Sequence, residues 1–135
     1  LEQMKKLPAH LERRRYIQSQ YNEKLNERMI RPPHSDTVQY YIARIPEYRS
    51  YAPDKSGGIT ASRDGLIDYL GSKNIHTSVH FKPLHKYGIL RQTNYRDYPV
   101  ADNIWESLIS LPCHPAMTDE DIDYVIYWVN KYFEE

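Results

Sequence analysis

A chain of 135 residues is the size of one ordinary domain and can bury about two thirds of the surface that its unfolded form exposes. Lysine plus arginine and aspartate plus glutamate stand at 18 each, so no net field draws the chain toward nucleic acid or an anionic membrane. Hydrophobic residues at 40% and charged residues at 27% exclude wholesale disorder, and the single cysteine, Cys113, excludes an intrachain disulfide or a multi-cysteine zinc site.

In chain order, the first expected element is a long amphipathic helix from Leu7 to about Met29, with Leu7, Leu11, Ile17, Tyr21 and Leu25 on its apolar face. Residues 1–6 then end a preceding helix, with Pro8 in the first turn of the next. Leu1 opens within helical sequence with neither an initiating methionine nor a cap, so an upstream segment is expected. Pro32-Pro33 removes two donors in succession and stops the helix. Thr37 to Ile45 is rich in β-branched and aromatic residues and predicts a strand, and residues 46–60 predict a loop with Pro53, Gly57 and Gly58. Ser62 caps a short helix that ends near Asn74 and puts Leu66, Ile67 and Leu70 on one face. Ile75 to Phe81 alternates as a second strand, with His76, Ser78 and His80 on its polar side.

An irregular aromatic segment runs to Tyr98, Pro99 opens another helix, and Ser107–Leu111 predicts a third strand that Pro112 closes. Thr118, with Asp121 three residues on and Met117 placed to staple onto Ile122, starts a final helix along Ile122, Val125, Ile126, Val129 and Phe133. This order predicts an α/β (α+β) two-layer fold, a small, mostly antiparallel sheet of about three strands covered by helices, as one domain over 1–135. No apolar run approaches the roughly 20 residues that span a bilayer, and no signal peptide is evident, so the chain reads as cytoplasmic.

His76, His80 and His85 crowd into ten residues, which raises a metal site. Residues four apart on a strand lie about 13 Å from each other, too far to share an ion. His80 and His85 can converge through the turn at Pro83, but no third ligand is evident. Cys113 beside His114 is not a nucleophilic pair on extended backbone, because adjacent side chains point apart. The acidic clusters at Asp64 and at Asp119–Asp123 sit in early helical turns, where the helix dipole already favours them. Arg13-Arg14-Arg15 reads as a solvated or subunit-facing helix surface. No site on this chain is complete by its own chemistry.

Taken together and in order, Leu1–Leu7 with Arg13, Arg14 and Tyr21, the segment Ser62–Leu70, the segment Val79–His85 and the segment Leu108–Asp121 resemble the carboxyl-terminal part of the DegT/DnrJ/StrS aminotransferases. The resemblance implies the small domain of a fold-type-I aminotransferase, a pyridoxal-phosphate (PLP) enzyme that aminates a nucleotide-linked keto sugar for polysaccharide or antibiotic biosynthesis, with glutamate as donor. It also implies a homodimer, while the balanced charge already argues against a nucleic acid or membrane partner. The large PLP-binding domain would lie outside this chain, together with its Schiff-base lysine, since none of Lys55, Lys73, Lys82 and Lys86 has the family's context. This chain would then bind no cofactor, carry no catalytic residue and be inactive alone.

By the same resemblance, His80 and Phe81 match a His-Tyr pair at the substrate cleft, while Pro83 and His85 match the Pro-Leu-His that shapes the corner. Phenylalanine at 81 lacks the hydroxyl more usual there. For His80, cleft lining and structural hydrogen bonding both remain open; His76 reads as structural. The alternative reading of the whole chain is a non-catalytic interaction module of the same ancestry.

Overall fold

The computed structural model describes residues 2–33, 38–45, 61–90 and 98–134, with the side chain of residue 90 excepted. The expected loop at 46–60, the Thr37 start of the first strand and part of the aromatic segment, 91–97, lie outside the described residues.

One helix, α1, runs unbroken from Glu2 to Lys24 with Pro8 inside it. The expected break at residues 6–8 is therefore absent. Pro8 leaves the Met4 carbonyl without its helical donor, but residues 2–9 are all exposed, so that carbonyl is open to water and the penalty is small. The apolar face is also shorter than expected. Ile17, Gln18 and Tyr21 are buried, whereas Leu7 is exposed. α1 ends before Pro32, because a side chain from the last helix takes over its terminus: Asn130 Oδ1 accepts from the Asn26 amide (2.7 Å) and Asn130 Nδ2 donates to the Lys24 carbonyl (2.9 Å).

β1 covers only Tyr41–Arg44 and pairs antiparallel with β2, Leu108–Leu111, in the register Tyr41 to Leu111 and Arg44 to Leu108. Its partner sets its length. β2 is confined between the helix ending at Ser107 and Pro112, which has no amide to donate. Among the described residues the sheet has two strands rather than three, because the expected Ile75–Phe81 strand contributes one bridge, Ser78 to Ser110, with amide-to-carbonyl distances of 3.2 and 2.8 Å.

That segment is pinned at both ends. α2, Arg63–Ser72, closes with Asn74 at φ 58°, where the Ile75 amide bonds to Leu70 and the Asn74 amide to Gly71. Phe81 at φ 48° then turns the chain away. The amide of Ile75 is consumed by the helix end and the backbone at 81 leaves the β region, so no ladder can extend.

α2 starts as expected, with Ser62 Oγ accepting from the Gly65 amide (3.0 Å). α3 spans Pro99–Ser107 and α4 spans Asp119–Tyr132. The Thr118–Asp121 capping box is complete, with reciprocal bonds of 2.9 and 3.1 Å, and Met117 and Ile122 are both buried in the core.

The inner sheet face, Tyr41, Ala43, Ile109 and Leu111, packs with Ile17, Tyr21 and Leu25, with Leu66 and Leu70, and with Ile122 and Val129 in one core. The expected two-layer α+β arrangement is thus present. Tyr21 stands edge-on to Tyr41 at 4.9 Å, and its hydroxyl donates to the Pro112 carbonyl (2.8 Å), tying α1 to the end of β2. Burial raises the proton affinity of both phenols, that of Tyr41 up to about 12.

Candidate functional site

The outer sheet face carries Ile42, Arg44, Leu108 and Ser110, and the segment after Asn74 crosses its edge at Ser78. That crossing places His76, Ser78 and His80 on one side, as the alternation predicts, and all three line a cavity of about 350 Å³ with Tyr40, Ser110, Cys113 and others.

His80 is the most firmly held of them. Its Nδ1 hydrogen-bonds Ser110 Oγ and its ring lies 4.4 Å from that of Tyr40. With Nδ1 engaged, Nε2 is the ring atom left for a ligand. Phe81 does not line this cavity: its left-handed backbone carries the side chain outward, where it is 83% exposed, with its ring 5.6 Å from that of His80.

Pro83 opens a 3-10 turn over Leu84–Lys86, and its carbonyl accepts from the Lys86 amide (2.9 Å). A second turn covers Gly88–Leu90. His85 leaves the cavity side and reaches Asp102 on α3 at 2.7 Å, beside the ring of Tyr98. Lys86 joins the same group, 3.3 Å from Asp102 and 3.0 Å from Glu106. Burial works against the charged Asp102 carboxyl, but the hydrogen bonds from His85 and Lys86 outweigh it and hold the group below the usual carboxylate range. His80 and His85 therefore face different partners. Among the described residues no three His, Cys, Asp or Glu side chains gather as a metal site.

His76 is exposed and faces both this cavity and an adjoining one of about 590 Å³ that also contains Lys73, His114, Asp121 and Tyr124.

The arginine run is where the sequence reading fell short. Arg13 donates to the Met117 carbonyl (2.6 and 3.2 Å) and pairs with Asp119 at 2.7 Å, fastening α1 to the start of α4. Arg14 lines the His80 cavity, and its Nε is buried without a hydrogen-bond partner among the described residues. Arg14 precedes Tyr21 by seven residues, two turns along one helix face. That spacing was a usable signal once Tyr21 was placed in the core.

A Schiff-base anchor requires an easily deprotonated amine. Lys86 is the reverse: its hydrogen bond to Glu106 leads the effects that raise its proton affinity. Lys73 lies 4.3 Å over the Trp128 ring and Lys82 5.7 Å over that of Tyr87. Lys55 lies outside the described residues.

The sequence pattern of the DegT/DnrJ/EryC1/StrS aminotransferase family matches residues 1–130. The chain is 34% identical to the uncharacterized protein MJ1066 of Methanocaldococcus jannaschii, over 100% of this chain and 35% of that protein. It is 33% identical to the spore coat polysaccharide biosynthesis protein SpsC of Bacillus subtilis, over 93% and 33% respectively. The chain thus spans about a third of the length of the curated relatives it matches. Among solved structures, it superposes on Spr1654 of Streptococcus pneumoniae, assigned as a sugar aminotransferase, with a TM-score of 0.81 and 26% identity, over 99% of this chain and 33% of that one. Spr1654 is also known in a PLP form.

Proposed function

The chain belongs to the DegT/DnrJ/EryC1/StrS aminotransferase family, and from that premise we propose that it is the carboxyl-terminal small domain of a PLP-dependent enzyme that aminates a nucleotide-linked keto sugar with glutamate as donor. The observation that carries this reading is the corner at residues 78–86. There His80 is fixed through Ser110 and Tyr40 with Nε2 free for a ligand, and His85 and Lys86 brace the next turn against α3. Such a corner suits a cleft wall, because a rotamer fixed by packing and a second hydrogen bond presents its remaining nitrogen at low entropic cost.

In this reading His80 orients the sugar nucleotide, and Phe81 offers a ring face without the polar contact a tyrosine could make. Pro83 and His85 hold the backbone that positions both. The cofactor, held elsewhere in the polypeptide, would supply the electron sink for amino-group transfer. Its aldehyde anchor would be a lysine outside this chain, and residues 1–135 alone would be inactive. The exposed apolar side chains at the same corner, Leu84, Ile89 and Val100 at 71–83% exposure, would be covered by the rest of a homodimeric, cytoplasmic enzyme.

The test is to load the natural polypeptide with PLP, reduce it with borohydride and map the adduct. One stoichiometric adduct outside residues 1–135 is expected. A stoichiometric adduct at a lysine within them contradicts the division of labour. No specific adduct anywhere favours the second reading, a non-catalytic interaction module, for which the exposed apolar corner is the supporting observation.

A further inference from the structure

The corner from His80 to Lys86 is gripped at its two ends by consecutive elements. Ser110 on β2 holds His80 through Nδ1, while Asp102 and Glu106 on α3 hold His85 and Lys86. α3 ends at Ser107 and β2 begins at Leu108, with no residue between them. A change in the angle between these two elements would therefore shift one end of the corner against the other.

That junction is pinned from α2 by Arg63. Its Nη1 donates to the carbonyls of Trp105 (3.4 Å) and Leu108 (3.2 Å), one on each side of the junction, and its Nε pairs with the Asp64 carboxylate. Arg63 is the first residue of α2, where the helix dipole disfavours a cation. Its side chain is nonetheless only 11% exposed, so its own helix does not explain the placement. What explains it is the carboxyl-terminal end of α3, whose last carbonyls have no following turn to bond to and attract a positive charge.

Trp105 joins this pin to the corner. The Arg63 guanidinium lies 5.8 Å and the Lys86 ammonium 5.2 Å from the centre of its ring, both close enough for cation–π attraction. Asp102, Trp105 and Glu106 stand at i, i+3 and i+4 on α3, so one helix face meets Lys86 with two carboxylates and a ring. The indole Nε1 is buried without a hydrogen-bond partner among the described residues. An unpaired buried donor costs stability, so what the indole contributes at 105 lies in its ring and not in its polar edge.

We propose that Arg63 and Trp105 are positioning residues for the cleft wall: Arg63 fixes the α3–β2 junction, the Trp105 ring ties Lys86 to it, and together they set where His80 Nε2 stands. The clamp rests on these contacts alone. Its service to a sugar nucleotide rests on the reading above.

The test follows the ring nitrogens of His80 and His85 by NMR in the full chain, and steady-state kinetics in the natural polypeptide. Trp105→Leu keeps an apolar side chain and removes the ring. Both histidines should shift, and KM for the nucleotide-linked keto sugar should rise about tenfold, the loss of one partly buried cation–π contact, with kcat within about twofold of the parent. Trp105→Phe keeps a ring face and should hold KM within about threefold. A role in packing alone would lower the melting temperature and leave both rings and KM as in the parent. The proposal is overturned if His80 stays unmoved in Trp105→Leu, if Trp105→Phe loses as much as Trp105→Leu, or if the loss falls on kcat with KM unchanged. Should Trp105→Leu not fold, Arg63→Lys reads the same clamp: lysine keeps the charge but cannot hold two carbonyls and a carboxylate from one planar group, so the His80 ring must shift, and an unmoved ring overturns the proposal. Shifted rings in a polypeptide that aminates no nucleotide-linked keto sugar would leave the clamp standing and remove the aminotransferase reading; normal amino transfer with unmoved rings would do the reverse.

Discussion

Asp102 couples the corner to α3, and its titration reports whether that coupling holds. Its folded-state affinity for protons is below that of an unfolded aspartate, so its contribution is complete at neutral pH. It begins to fade below about pH 3.9 and is gone once pH falls through the lowered native value. Carboxyl NMR should show Asp102 titrating below the ordinary range and His85→Ala moving it upward; an ordinary titration in the parent would remove the brace. Cys113 gives a second residue-scale expectation. Burial pushes its thiol up to about 11, with Arg14 opposing, so iodoacetamide should react slowly through neutral pH in the folded chain. Half-maximal reactivity near the free-thiol value of about 8.5 would show that the thiol is not held against the core. Of the site, His80 and His85 could be singled out from sequence because their spacing is local. Arg14 needed a further step: its seven-residue spacing from Tyr21 puts it on the same helix face, but what that face meets depends on Tyr21 reaching Pro112, 91 residues away.

At the scale of elements, Gly65 in α2 sets helix propensity against packing. Alanine there would gain about 1 kcal/mol of propensity. An added Cβ, however, would lie 2.6 Å from the Tyr132 hydroxyl, which is fixed by the amide and carbonyl of Ser62 at 3.1 and 3.2 Å. Overpacking of this kind costs about 1–3 kcal/mol, so Gly65→Ala should lower the melting temperature, and Gly65→Ala in a Tyr132→Phe background should lose less. A stabilised single variant would show that Tyr132 moves freely. Elements with local signals were legible: the Ser62 and Thr118 caps, Pro99 at the start of α3, and Pro112 at the end of β2. What failed was decided over distance. The end of α1 belongs to Asn130, the length of β1 to its short partner, and the missing strand to two left-handed residues, Asn74 and Phe81, that no periodicity reveals.

At the scale of the whole molecule, the buried core unites α1, α2, α4 and the inner sheet face, while the corner leaves Phe81, Leu84, Ile89 and Val100 uncovered. Apolar surface of this kind favours association. Sedimentation of residues 1–135 should show concentration-dependent self-association that Phe81→Ser with Ile89→Ser reduces; a monomer at all concentrations would argue that the corner needs no partner. The overall α+β plan was legible because helix and strand periods alternate along the chain, whereas the uncovered corner was not, since exposure depends on which neighbours are present. The most direct measurement is amino transfer from glutamate to a nucleotide-linked keto sugar by the natural polypeptide, compared with its His80→Ala variant. The expected result is transfer by the parent and a loss of about tenfold or more in kcat/KM for the sugar nucleotide in the variant, with the PLP adduct still formed. No transfer by the parent to any nucleotide-linked keto sugar, or an unchanged kcat/KM in the variant, would contradict the assignment of this chain as the wall of that site.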